Sequence, residues 1–143
     1  MKIKIKRLSE NAAIPVYGSA LAAGADLTTV EAAKIAPGET VLLHTGLSVE
    51  IPEGYAGLIY ARSGLASKRG LAPANKVGVI DADYRGEIMV ALHNHSNAEA
   101  SVEAGERIAQ LVVTPFLRVQ FEDSEALSDT ERGAGGFGST GRN

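Results

Sequence analysis

The sequence predicts an all-β chain, a distorted jelly-roll β-barrel or sandwich, and three observations carry that prediction. About ten short runs rich in Val, Ile and Leu follow one another at the 8–12-residue spacing of sandwiches and barrels. Turn residues separate them, with 16 glycines and 5 prolines in 143 residues. No stretch keeps a helical period long enough to form a layer of its own. At 45% apolar and 22% charged, the chain can bury one core of ordinary size.

In chain order, Lys2 to Lys6 alternates lysine with isoleucine and predicts a terminal or edge strand. Pro15 excludes a central ladder position between Asn11 and Tyr17. Gly18 to Leu27 is rich in alanine, yet its glycines and the β-branched Thr28-Thr29-Val30 predict a loop and then a strand. Ala36 to Glu39 is a turn, Thr40 to Ile51 a long strand kinked at Gly46, Pro52 to Gly54 a turn, and Tyr55 to Ala61 a strand. Ser63 is placed to cap a helical turn of Leu65 to Arg69 that Gly70 stops, leaving N–H groups and positive charge at one spot. Leu71 to Ile80 carries Pro73 and Asn75 into a strand. His93 to Asn97 and Ala104 to Arg107 are turns, and Ile108 to Val113 and Phe116 to Phe121 the last strands. This gives a β domain over 1–121 and a separate segment over 122–143.

Composition excludes some functions. A net charge of −3 opposes sequence-independent binding to a nucleic-acid backbone, while a small phosphorylated ligand gripped by a few arginines stays open. With no Trp and 5% aromatics there is no broad base-stacking platform. No cysteine means no disulfide, thiolate nucleophile or Cys-based zinc site. No apolar leader follows Met1 and no membrane-spanning run occurs, which predicts an intracellular, cytoplasmic protein without membrane partners. Asn94-His95-Ser96 matches a glycosylation sequon by chance.

Chemistry concentrates in Gly78-Val79-Ile80-Asp81-Ala82-Asp83-Tyr84-Arg85-Gly86-Glu87-Ile88, where one apolar strand ends and another resumes through Met89, Val90 and Leu92. The pattern predicts a β-hairpin whose mouth holds a carboxylate. Asp81 at a stiff strand end can stand within about 3 Å of a reacting water. The same letters also make an ordinary turn. Asp83 suggests a second acid, but its place ahead of Gly86 predicts a turn cap, with Asp81 the single base.

From Glu122 the composition changes, and 132–141 holds five glycines in ten residues. Such a segment cannot order itself by burial, so a disordered tail is one reading. The other is a wrap around an anion, through successive N–H groups, with Arg132 for charge and Phe137 as apolar anchor. Gly133 and Gly138 have Walker spacing, but Ser139 stands where the lysine must be.

Five separated stretches together resemble the homotrimeric dUTPase family: Ala23 to Leu27, Arg62 to Ala66, Gly78 to Ile88, Gly105 to Leu111 and Arg132 to Gly141. They stand in the family's order and span nearly the whole chain. The resemblance implies a homotrimer with an exchanged C-terminal arm, hydrolysing dUTP to dUMP and pyrophosphate. That reaction keeps uracil out of DNA and supplies dUMP for thymidylate synthesis. Mg²⁺ would ride on the triphosphate without a direct protein ligand, with Asp26 acting on its waters. Asp81 would deprotonate the water that attacks the α-phosphorus, a sensible task for a fixed carboxylate. Tyr84 would exclude a ribose 2′-OH and Asn75 would pair with uracil, with Val79 and Met89 in the same substrate-binding set. Ser63, Gly64 and Gln110 would meet phosphates, and Arg62 would pair with Asp26. Arg132 would grip the γ-phosphate, Phe137 stack on uracil, and Gly138 and Ser139 close the site. Sites would lie between subunits, so a monomer would be inactive.

Other readings are weighed beside this one. A deaminase acting on dCTP shares the fold and parts of two motifs but needs a glutamate base, and a non-catalytic nucleotide-binding β module would not need Asp81. His93 and His95 have metal-site spacing but no third ligand. Ser63 with His44 lacks the nucleophile elbow of a hydrolase triad. Arg107 is expected to pair with Glu106.

Overall fold

The computed structural model describes residues 1–136, in which there are twelve strands and one helix. Strands β2 (Val16–Tyr17), β3 (Ala25–Thr28), β12 (Arg107–Pro115), β7 (Tyr55–Tyr60) and β9 (Gly78–Ile80) form, in that order, a five-stranded sheet. Strands β5 (Thr40–His44), β10 (Met89–Asn94) and β8 (Leu71–Pro73) form a second sheet of three. Two pairs complete the fold: β1 (Lys4–Arg7) with β6 (Leu47–Glu50), and β4 (Ala33–Ile35) with β11 (Ala100–Val102). All pairings are antiparallel, and the architecture is the expected jelly-roll-like all-β one. Pro73 sits on an edge strand, where its missing N–H breaks no ladder.

Alternation decides what faces inward. Ala25 and Leu27 of β3 and Val90 and Leu92 of β10 point to the core, joined by Ile35, Leu43, Leu47, Leu71 and Ile108. Burying each large aliphatic side chain stabilises by roughly 1.5–3 kcal/mol. Asn94 is fully buried with them. Its amide donates to the Ile35 and Ala98 carbonyls at 2.8 Å each and accepts from the Ser96 N–H and hydroxyl, so the apparent sequon is structural.

Four expectations change. The Thr40–Ile51 run is two strands in different sheets, because Gly46 adopts φ +68° and turns the chain between β5 and β6. The 78–88 stretch is no hairpin: β9 pairs with β7, whereas β10 pairs with β5 and β8. Helix α1 (Ser63–Arg69) has Arg62, not Ser63, at its N-cap, and no side chain bonds there. Gly70 does end it, in the left-handed conformation at φ +66°. Residues Phe116 to Phe121 form no strand; pairing stops at Pro115, and Phe121 is 91% exposed. Among the described residues, no helix is long and apolar enough to cross a membrane.

Candidate functional site

Two clefts gather most of the singled-out residues. The first, of about 430 Å³, is lined by Gly24, Asp26, Arg62, Ser63, Gly64 and Gln110, among others. Three adjacent strands assemble it: Asp26 on β3 pairs with Gln110 on β12, Gln110 pairs with Tyr60 on β7, and Arg62 and Ser63 follow β7. The Asp26 carboxylate accepts from Arg62 Nε at 2.8 Å and from Arg107 Nη1 at 3.1 Å. Arg107 thus pairs with Asp26 and not with Glu106, which is held by Arg69 instead. Gln110 Nε2 donates to the Ala61 carbonyl at 2.8 Å. A Cβ on residue 24 would overlap Gln110 Oε1, so Gly24 is what lets that amide in. Gly64, by contrast, has nothing within 4 Å of where a Cβ would stand, so the chain's own packing does not require glycine there.

The second cleft, of about 300 Å³, brings together Asn75, Val79, Asp81, Tyr84 and Met89 with Gly78, Glu87 and others. Asp81 directly follows β9, exposed, and its carboxylate takes no hydrogen bond among the described residues. A turn behind it is closed by the Tyr84 N–H donating to the Asp81 carbonyl at 3.1 Å. The Tyr84 ring lies so close over Gly86 that a Cβ there would overlap it, and its hydroxyl donates to the Glu87 carbonyl at 2.8 Å. Asp83 is not seen capping this turn; instead Arg85 Nη1 donates to the Ala82 and Tyr84 carbonyls at 2.7 and 2.9 Å.

The segment after Asp81 is strapped to the break between β5 and β6. Thr45 Oγ1 donates to the Ile88 carbonyl at 2.6 Å, Ser48 Oγ to the Arg85 carbonyl at 2.7 Å, and the Ile88 N–H to the Leu47 carbonyl at 2.7 Å. The Glu87 carboxylate accepts from the Gly46 N–H at 2.7 Å and meets His44 Nδ1 at 2.9 Å. The bond to Glu87 and its charge raise the His44 pKa against an opposing effect of burial, with Glu31 adding least. Burial pushes Glu87 up, but the His44 and Gly46 bonds and the His44 charge together outweigh it and leave the carboxyl below its ordinary range. His44 is therefore engaged by Glu87, not by Ser63. No sequence signal could have joined residues so far apart in the chain.

The two clefts lie at opposite ends of one sheet. Ile80 pairs with Gly57, so Asp81 stands beside the start of β7, while Arg62 and Ser63 follow its far end. Along a strand at about 3.3 Å per residue that separation is roughly 20 Å. Arg132 lines neither cleft; it is exposed, with Nε donating to the Gly135 carbonyl at 2.8 Å. Phe137, Gly138 and Ser139 lie outside the described residues. His93 Nδ1 is 2.8 Å from Thr40 Oγ1, and its ring meets His95 edge-on at 4.3 Å. No group of three or more metal-binding side chains occurs among the described residues.

The dUTPase family model matches residues 10–141. A deoxyuridine 5′-triphosphate nucleotidohydrolase of Nautilia profundicola is 53% identical over 142 residues, covering 99% of this chain and 100% of that protein. Another, of Hydrogenobaculum, is 50% identical over 142 residues and 99% of both. The dUTPase of Staphylococcus bacteriophage 80alpha, solved with dUPNHPP, superposes with a TM-score of 0.92 at 32% identity over 99% of both chains.

Proposed function

The chain belongs to the dUTPase family, and on that premise we infer that it hydrolyses dUTP to dUMP and pyrophosphate in an active site shared between subunits of a trimer. The observation that supports sharing is the roughly 20 Å between Asp81 and the Arg62–Ser63 cleft on one chain. Groups that act on one phosphorus must stand within a few ångströms of it. A second copy brings its first cleft to the first copy's Asp81, and the family's threefold arrangement does so for every subunit.

In this reading the second cleft takes the nucleoside, with Asn75 on the uracil edge, Val79 and Met89 against its apolar faces, and the Tyr84 ring on the deoxyribose. Asp81 accepts a proton from water, whose oxygen bonds to the α-phosphorus while the α–β bridging bond breaks and its electrons leave with pyrophosphate. From the neighbour's first cleft, Ser63, Gly64 and Gln110 meet the α- and β-phosphates, and the open space at Gly64 admits them closely. Arg132, Phe137, Gly138 and Ser139 close over the γ-phosphate and the base, forming an arm over 122–143.

The first cleft also fits a metal carried by the substrate. Both Asp26 oxygens accept from arginines and Glu106 is held by Arg69, so neither is a bare carboxylate awaiting direct ligation. Asp26 would therefore act on the waters of a Mg²⁺ bound to the triphosphate. Bound there, Mg²⁺ supplies charge neutralisation for the phosphates. A dCTP deaminase reading fits less well, because the cleft's glutamate, Glu87, is bound to His44 and the Gly46 N–H.

Replacing Asp81 by Asn tests the mechanism. Phosphate release, with pyrophosphatase added, should fall by about 10²-fold or more while dUTP still binds. Wild-type turnover in that variant would refute the role of Asp81.

A further inference from the structure

Glu87 links the two halves of the second cleft. Its carbonyl receives the Tyr84 hydroxyl, and its carboxylate is pinned to the end of β5 by the Gly46 N–H and by His44. We propose that His44 and Glu87 are positioning residues for sugar recognition, a clasp between the end of β5 and the segment leading into β10 that fixes the height of the Tyr84 ring over the nucleoside. The proposal rests on the dUTPase reading above and assigns a task to two residues outside the reacting groups.

Geometry carries it. Tyr84 is 41% exposed, and its ring, lying over Gly86, is tied at its tip by the hydroxyl bond to the Glu87 carbonyl. That carbonyl can be no better fixed than residue 87 itself. Thr45 and Ser48 bond to the carbonyls on either side, at Ile88 and Arg85, and the Ile88 N–H bonds the Leu47 carbonyl, so the backbone is held around residue 87 and the Glu87 side chain adds a further tie at the residue itself. Met89, the next apolar residue of the same cleft, is the cross-strand partner of His44. A loosened clasp therefore disturbs both the ring and the floor beside it. The charged groups facing His44 are Glu87, from the strapped segment, and Glu31, whose carboxylate accepts the His44 N–H at 2.9 Å. Both favour the imidazolium, which places the tightest clasp below the raised His44 pKa. A neutral His44 can still donate from Nδ1, so higher pH weakens the clasp without opening it.

The experiment measures KM for dUTP and the inhibition constant for UTP, with Mg²⁺ present, from about pH 6 to 9. Their ratio cancels ionisations that the two triphosphates share. In the wild type the preference for dUTP should decline as pH rises through the His44 titration. His44→Ala should lower that preference about threefold at pH 6, the size expected of a half-exposed ion pair. His44→Gln, which keeps a donor without a titratable charge, should recover much of the preference and show no pH step. Adding His44→Ala to Tyr84→Phe should change the preference much less than His44→Ala alone does, since the link to the ring is already cut. An unchanged preference in His44→Ala, even with a lower melting temperature, would overturn the clasp, as would a persisting pH step in His44→Gln. A wild type that does not turn over dUTP would instead remove the dUTPase reading on which the clasp rests.

Discussion

Gly24 shows how much one missing side chain decides. The Gln110 amide occupies the space a methyl group would take, and that amide is tied to the Ala61 carbonyl just ahead of Arg62. We expect Gly24→Ala to displace Gln110 and raise KM for dUTP severalfold, with little change in melting temperature because the cleft is open. Equal loss of stability and activity would show that Gly24 serves the fold. Gly86 has the same relation to the Tyr84 ring. Both glycines stand inside stretches that the sequence singles out. Their partners did not follow from the letters, because close approach is a property of neighbouring strands and not of spacing. The Asp26–Arg62 pair was legible only through family resemblance. Arg107, the third member, reads from the letters as a partner of its sequence neighbour Glu106, since nothing along the chain shows that β12 and β3 lie side by side.

At the scale of elements, Gly46 matters most. Its φ of +68° turns Thr40–Ile51 into two strands, and a Cβ there would stand 2.9 Å from Ala12 Cβ and 3.0 Å from Ser9 Cβ. Gly46→Ala should destabilise by about 2 kcal/mol or more, since the conformation alone costs an L-residue roughly 1–2 kcal/mol. Urea unfolding at fixed protein concentration checks this. The same break carries the His44–Glu87 pair, whose stabilising effect has a defined pH window. His44 is raised from 6.5, so its contribution is complete below that value and is lost as pH rises through the folded pKa. Glu87 is lowered from 4.5, so its contribution is present above that value and is lost as pH falls through the folded pKa. The pair should therefore add most between about pH 4.5 and 6.5. In His44→Ala the melting temperature should lose that part of its pH dependence. Side-chain pattern gave most of the strands, though Phe116 to Phe121 form none and Thr40–Ile51 is two. It could not give their partners, so the 78–88 stretch read as a local hairpin when it crosses between sheets.

For the whole molecule, the separation of Asp81 from the Arg62 cleft makes a direct prediction. Asp81→Asn and Arg62→Ala should each be nearly inactive alone. Unfolded together and refolded as mixed assemblies, they should recover part of the activity, because some sites then combine an intact Asp81 with an intact Arg62. No recovery, with mixing shown by mass, would mean that each chain acts alone. The exposed Phe116, Leu117, Val119 and Phe121 agree with a segment awaiting another surface, and their apolar pattern is what made them read as a strand.

The sequence by itself determined the all-β class, most of the strands, the chemistry on offer and, through five ordered motifs, the family. These are local matters, set by side-chain type, period and order along the chain. Only the tertiary structure decided that Asp81 and the Arg62–Ser63 cleft stand at opposite ends of one sheet, and that Glu87 is held by His44. Strand pairing between distant segments fixes both, and the period and residue types along one strand do not name which distant strand it will pair with.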